Sequence, residues 1–197
     1  IAKGTMVGKA IHNDMMTEGV LAMGMLGSVS KGILNYYLAD RWNFRHGDAA
    51  IYNSSETWGL IAGLSASEVF GLNNKESQTY SLLNSLIFSS AGMFVGKKLG
   101  DTHMYTLGDV RVFNSTTAMG AITGLTLAYY FEPFKPSGYL IPMLVGQLGG
   151  SYLGHRLTSD VDFPQSSGTL ITLGSMSGYL IGAGIGYLVA PDGGYNM

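Results

Sequence analysis

Apolar residues gather into six long runs, roughly 15–38, 48–70, 79–100, 109–131, 138–154 and 167–190, divided by short polar stretches. Within several runs small residues return at every fourth position, which is the spacing of one helix face rather than the alternation of a strand. The runs therefore predict helices, and most reach the ~17–25 residues that cross a bilayer as helix. Residues 168–190 and 79–95 hold no charged side chain, and 112–131 holds none after Arg111. By contrast 48–70 carries Glu56 and Glu68. Pro142 falls inside the fifth run and predicts a kink or a late start there.

The polar stretches repeat as well. Gly47-Asp48, Asn53-Ser54, Gly59 and Gly63-Leu64 recur 61 positions later as Gly108-Asp109, Asn114-Ser115, Gly120 and Gly124-Leu125. Upstream, Leu38-Ala39-Asp40 matches Leu99-Gly100-Asp101, and Phe44 matches Tyr105. A third, degenerate copy aligns Gly178 and Gly182 with Gly120 and Gly124, and so sets Ser167 at the place of Asp109. Leu153-Gly154-His155 then stands where Leu99-Gly100-Asp101 does. A fixed period of this length marks stacked supersecondary units, none of which buries its apolar face alone. The expected architecture is all-α: one repeat domain over 1–197, with antiparallel hairpin units at roughly 15–70, 79–131 and 138–190. Gly47, Asp48, Gly108, Asp109 and Ser167 are its turn and N-cap residues, the carboxylate or hydroxyl accepting from free backbone N–H groups.

Composition turns this toward lipid. Glycine is 29 of 197 residues, about twice the usual share of ~7%, while charged residues are only 12%. Gly-x-x-x-Gly occurs at Gly59/Gly63, Gly92/Gly96/Gly100, Gly120/Gly124, Gly146/Gly150/Gly154 and Gly174/Gly178/Gly182/Gly186. Each run makes a smooth stripe on which another backbone can approach closely. In water an interior helical glycine costs roughly 0.8–1 kcal/mol against alanine. In hydrocarbon an unpaired backbone is so costly that helix is enforced. The expectation is therefore a membrane-embedded bundle packed through small-xxx-small faces. The pattern resembles glycine-zipper membrane proteins of the bacterial envelope; the resemblance covers the helix faces alone and implies helix association rather than an activity.

Charge placement adds an orientation. Arg41, Arg45, Lys97, Lys98, Arg111 and Arg156 fall at the Gly-Asp end, against Lys75 and Lys135 at the other. In an inner membrane that excess puts the Gly-Asp turns in the cytoplasm; inner and outer membranes remain open alternatives. Aromatics at the ends of the runs, including Tyr36, Tyr37, Trp42, Tyr129 and Tyr139, suit interfacial anchoring. A net charge of −2 without a basic run argues against nucleic acid. Absence of cysteine removes disulfides and thiolate chemistry. The start Ile1-Ala2-Lys3-Gly4 leads to the expectation of a processed chain or a piece of a longer one.

Candidate chemistry is sparse. His46, His103 and His155, with Asp40, Asp48, Asp101, Asp109, Asp160 and Asp162, collect near the Gly-Asp end, where a divalent ion is conceivable. The histidines occupy non-equivalent repeat positions, so no metal or other cofactor is expected. Ser28-Val29-Ser30-Lys31 matches Ser-x-x-Lys without its companion motifs. Gly182-Ala183-Gly184-Ile185-Gly186 lacks the third glycine spacing and the acidic residue of a dinucleotide turn. Glu56 is the candidate for a polar path, the bland alternative being a solvated interfacial carboxylate. The resulting functional expectation is a non-catalytic structural or assembly subunit of a membrane-associated complex. Its partners would be other subunits or further copies of itself, together with the lipid bilayer. A channel or transporter component using Glu56 ranks second, and a metal-dependent enzyme at the Gly-Asp turns third.

Overall fold

The computed structural model describes residues 29, 32–33, 36–38, 41–42, 44–72, 78–130 and 137–189. It is all-helical among them, and the chain divides into Ile1–Phe44 and Arg45–Met197. In the first unit the described residues up to Trp42 are helical. There Arg41 donates to the Tyr37 hydroxyl at 3.3 Å, and the Trp42 and Phe44 rings meet edge to face at 5.6 Å. The second unit holds α1 (His46–Val69), α2 (Gln78–Thr102), α3 (Leu107–Tyr130), α4 (Ser137–Ser159) and α5 (Gln165–Val189).

The starts and stops follow local chemistry. Helix α1 ends on Gly71, whose φ of 69° is left-handed. Gly71 N–H donates to Glu68 O at 3.0 Å and Leu72 N–H to Ser67 O at 2.8 Å, a Schellman closure that satisfies the last carbonyls. Pro142 sits within α4, which neither starts late nor stops there; the helix continues to Ser159, beyond the expected end near 154. In the first turns of a helix the missing N–H of proline matters least.

The helices pair in sequence order, α1 with α2 and α3 with α4, each pair antiparallel. Helix α5 lies along α3, and α4 reaches across to α1. Helices α1, α3 and α5 thus form one row, with α2 packed on α1 and α4 on both α3 and α1. This corrects the expected hairpin units by half a period. The tight partners are joined through residues 73–77 and 131–136, which lie outside the described residues, and α2 does not pack along α3 across the Gly-Asp turn. The reason lies in the glycine faces, since the stripe of α1 looks at α2 and that of α3 at α4.

The interior is unusual. A small hydrophobic cluster of Ile51, Tyr105, Val110 and Phe113 sits at the Gly-Asp end. Along the helix pairs many of the buried side chains are short or polar, namely Ser55, Ser67, Ser81, Ser85, Ser89, Thr117, Gln147 and Thr158, beside the apolar Tyr52, Ala66, Val112 and Ala128. Most of the large apolar side chains stand outside, Leu86 at 61%, Phe94 at 61%, Leu148 at 68% and Leu170 at 69% exposure among them. Among the described residues no helix is both long and apolar enough to cross a membrane. Length is not the shortfall, because 23 to 25 residues at about 1.5 Å each exceed a ~30 Å hydrocarbon core.

Candidate functional site

The glycines expected to pack helices fall into two groups. In α1·α2, a Cβ at Gly92 would collide with the Ser55 carbonyl oxygen and one at Gly59 with that of Phe88. At Gly63 it would lie 2.8 Å from Ser85 Cα, and at Gly96 2.7 Å from Tyr52 Cα. In α3·α4, Gly120 and Gly146 each face the other's carbonyl oxygen, Gly124 faces that of Pro142, and Gly150 that of Thr116. Backbone meets backbone at all of these points, so no side chain can move aside to admit a larger residue. In α5, by contrast, a Cβ at Gly174, Gly178 or Gly182 meets nothing within 4 Å. Gly186 lies outside the residues whose surroundings are described.

Short polar side chains stitch the crossings. Asn84 Nδ2 donates to Gly63 O at 3.0 Å and to Ser67 Oγ at 2.9 Å across α1·α2. Thr117 Oγ1 and Ser151 Oγ meet at 3.0 Å across α3·α4. Between repeats, Trp58 Nε1 donates to Asn114 Oδ1 at 2.9 Å and Asn114 Nδ2 to Ser54 Oγ at 2.9 Å. Gln147 Nε2 completes the set by donating to Trp58 O at 2.9 Å. Ser115 and Thr172 share a hydrogen bond at 2.7 Å between α3 and α5. Asn114 stands out in the sequence as a repeated position; the roles of Trp58 and Gln147 have no sequence signal, because Met119 and Leu86 stand at the positions 61 residues away.

The Gly-Asp turns differ from expectation in a defined way. The cap position belongs to Arg45 and Thr106, and Asp48 and Asp109 sit three residues inside the helix. Thr106 N–H donates to Asp109 Oδ2 at 2.7 Å and Asp109 N–H to Thr106 Oγ1 at 3.1 Å, a reciprocal capping box. In the first copy Arg45 N–H donates to Asp48 Oδ2 at 3.2 Å and its guanidinium Nε at 2.8 Å. Ser167 holds the same third position in α5. Gly47 and Gly108 are helical, so a permissive turn is not their purpose. A Cβ there would strike the carbonyl oxygens of Tyr105 and Phe163, the strands of chain entering from the next repeat. The first turn of each helix is thus the seat of the following connection.

That seat is complete in the second copy and incomplete in the first. Asp109, fully buried, also accepts from Phe163 N–H at 2.7 Å through Oδ1, while Thr106 Oγ1 donates to Phe163 O at 2.6 Å. Asp48 Oδ1 is buried with no hydrogen-bond partner. Nearby, Tyr105 and His155 meet through OH and Nδ1 at 2.6 Å. Burial pushes the Tyr105 phenol up to about 12, opposed by a hydrogen bond with Thr158 and helped, by less, by the charge of Asp109. His155 is held below its ordinary value by burial, then by His103 and Arg156, which keeps the imidazole neutral and able to accept from the phenol.

The remaining candidates resolve as follows. His103, Asp109 and Asp162 bring one ligand atom each within 4.8 Å of one another. Both oxygens of Asp109 already hold backbone N–H groups and Asp162 is exposed, so the set reads first as a capped turn. Glu56 is 6% exposed and accepts from Ser89 Oγ at 3.4 Å, so the solvated alternative does not hold. Gly182-Ala183-Gly184-Ile185-Gly186 lies within α5 and is not a strand-to-helix turn. His12, Asp40, Ser28, Ser30 and Lys31 lie outside the described residues. Compared with known proteins, the chain matches no family model, no curated protein and no solved structure.

Proposed function

We propose that this chain is a non-catalytic structural subunit of a membrane-associated assembly, its helix pairs held by glycine crossings and its apolar exterior covered by lipid. The carrying observation is the layering of the helix pairs outside the small apolar cluster at the Gly-Asp end: serine, threonine and glutamine buried between helices, and most of the described leucine, isoleucine and phenylalanine side chains exposed. A water-soluble bundle gains its stability by burying large apolar side chains, each fully buried one contributing about 1.5–3 kcal/mol. Here most of those side chains stay outside, and close backbone packing with short hydrogen bonds takes over, as in helix association within a bilayer. The low apolarity of each helix taken whole fits the same reading, because inward-facing Ser, Thr, Asn and Gln lower the average of a helix whose outer face is apolar.

The ends support an orientation. Asp101, Arg111, His155 and Arg156 share the Gly-Asp end with the buried Asp48 and Asp109, and water or lipid headgroups can reach the exposed Asp101 and Arg156 there. A polar conduit through Glu56 has less support: the side chain packs on Ser89 and lines neither of the two grooves described. The test is fractionation of the native chain in alkaline carbonate followed by mild detergent. Retention through carbonate with release by detergent is expected. Release into the carbonate wash contradicts lipid as the covering medium.

A further inference from the structure

The Gly-Asp end draws metal-ligating side chains from three elements. His103 stands one residue beyond the end of α2, Asp109 in the first turn of α3, and Asp162 in the connection from α4 to α5. One ligand atom of each lies within 4.8 Å of the other two. Exposed carboxylates gather in many proteins without such a purpose, so the imidazole decides the matter. His103 Nε2 is buried and has no hydrogen-bond partner among the described residues. A buried polar atom left unmet carries a free-energy penalty that a ligand removes. The ring is held in place, with the Tyr105 ring edge-on to it at 5.0 Å and the His103 N–H donating to Leu99 O at 3.0 Å.

Capping and ligation are compatible at Asp109. An ionised carboxylate has about four lone-pair sites, and the N–H groups of Thr106 and Phe163 take one on each oxygen. Such bonds orient a ligating carboxylate, as the outer hydrogen bonds of metal sites commonly do. They also position Asp162, because the next residue, Phe163, is pinned through both its N–H and its carbonyl. The repeat shows what the cap alone requires. Tyr105 seats on Gly47 as Phe163 seats on Gly108, so Trp42, Asp48 and Met104 stand where His103, Asp109 and Asp162 do. The capping carboxylate is common to both copies; the imidazole and the second carboxylate belong to one.

We propose that His103, Asp109 and Asp162 form a Zn²⁺ site, one per chain, that ties the end of α2 to the α4–α5 connection. An imidazole among carboxylates suits zinc, whereas Mg²⁺ and Ca²⁺ take oxygen ligands. Three protein ligands leave the fourth tetrahedral position to water. Bonds of about 2.0–2.2 Å set tetrahedral donor atoms about 3.4 Å apart, a closure that the exposed Asp162 side chain can supply. The tie joins elements that the helix packing leaves apart, since α2 does not pack along α3. It stands on this end of the molecule alone and is independent of whether lipid covers the helices.

The experiment strips the full chain in mild detergent with a chelator, dialyses it, and titrates Zn²⁺ by calorimetry. One equivalent is expected, with no uptake of Mg²⁺ at the same concentrations. His103→Ala and Asp162→Asn should each weaken binding at least tenfold with helix content unchanged, because neither residue lies within a helix. His46→Gln, at an exposed histidine, should bind as the parent does. X-ray absorption at the zinc edge should show a single imidazole. Amide hydrogen exchange over residues 160–163 should slow at least tenfold on loading, and stay fast in His103→Ala. No zinc uptake, uptake indifferent to both variants, or two imidazoles on the metal overturns the site. Exchange at 160–163 unchanged by zinc overturns the tie.

Discussion

Helices α3 and α5 carry the same stripe of small residues and differ in what lies against it. On α3 the stripe is a closed crossing, with Gly120 and Gly146 each pressed on the other's carbonyl. On α5 the same positions stand open. A glycine pattern therefore encodes the capacity for close approach, and the neighbour decides whether that capacity is used. The contrast also separates two costs of glycine replacement. Where backbone meets backbone, a larger residue forces helices apart; where nothing lies opposite, it only restores helix propensity.

The largest expected effect follows from that separation. Gly120→Leu should remove cooperative unfolding or cost about 4 kcal/mol or more, the range reserved for severe overpacking. Gly178→Ala should raise stability by up to ~1 kcal/mol through helix propensity. Denaturant titrations of the two variants side by side check this. Equal losses would mean that α5 is seated within its own chain.

A smaller effect separates the two Gly-Asp seats. Asp109→Ala should cost about 3 kcal/mol, since a buried carboxylate loses two backbone donors and leaves them unmet. Asp48→Ala should cost nearer 1 kcal/mol, as one oxygen has no partner and the cap is half-exposed at Arg45. Thermal unfolding that ranks them in the opposite order would remove the complete-versus-incomplete distinction. Next, Asn114→Ala should cost about 1–2 kcal/mol by stranding Trp58 Nε1 and freeing Ser54. A blue-to-red shift in Trp58 fluorescence checks the local change, provided that Trp42 is first replaced by Phe.

The smallest effect is a pH dependence. The Tyr105 phenol titrates near 10 unfolded and about 12 folded, so its contribution is present below pH 10 and is lost as pH rises toward 12. Tyr105→Phe should shrink that alkaline limb. His155 works in the opposite direction: held neutral in the fold, it withdraws stability as pH falls through 6.5 and below. A stability profile with the alkaline limb intact in Tyr105→Phe would assign it to another group.

Much of this was legible in the chain. The described helices fall within a few residues of the apolar runs, because polar turns and glycine stripes recur with a fixed period. Partner choice was not legible: Gly59 has the same spacing whether it faces the preceding or the following run, and only the fold shows it against Phe88 and Gly92. The caps were displaced for a related reason. Asp48 and Asp109 have the chemistry of a cap, yet Arg45 and Thr106 hold the position, since Gly47 and Gly108 are needed inside the first turn to admit Tyr105 and Phe163. The layering of the helix pairs was hidden by averaging, which cannot tell an inward serine from an outward one.

The central claim is that the outer faces lie in lipid, and spin labels on single cysteines test it most directly. Labels at Leu86→Cys, Leu148→Cys and Leu170→Cys, in the native membrane fraction, should collide often with oxygen and rarely with a water-soluble nickel complex. A label at Asp160→Cys, exposed at the Gly-Asp end, should show the reverse. Nickel collisions at the three leucine positions as frequent as at 160 would contradict the account.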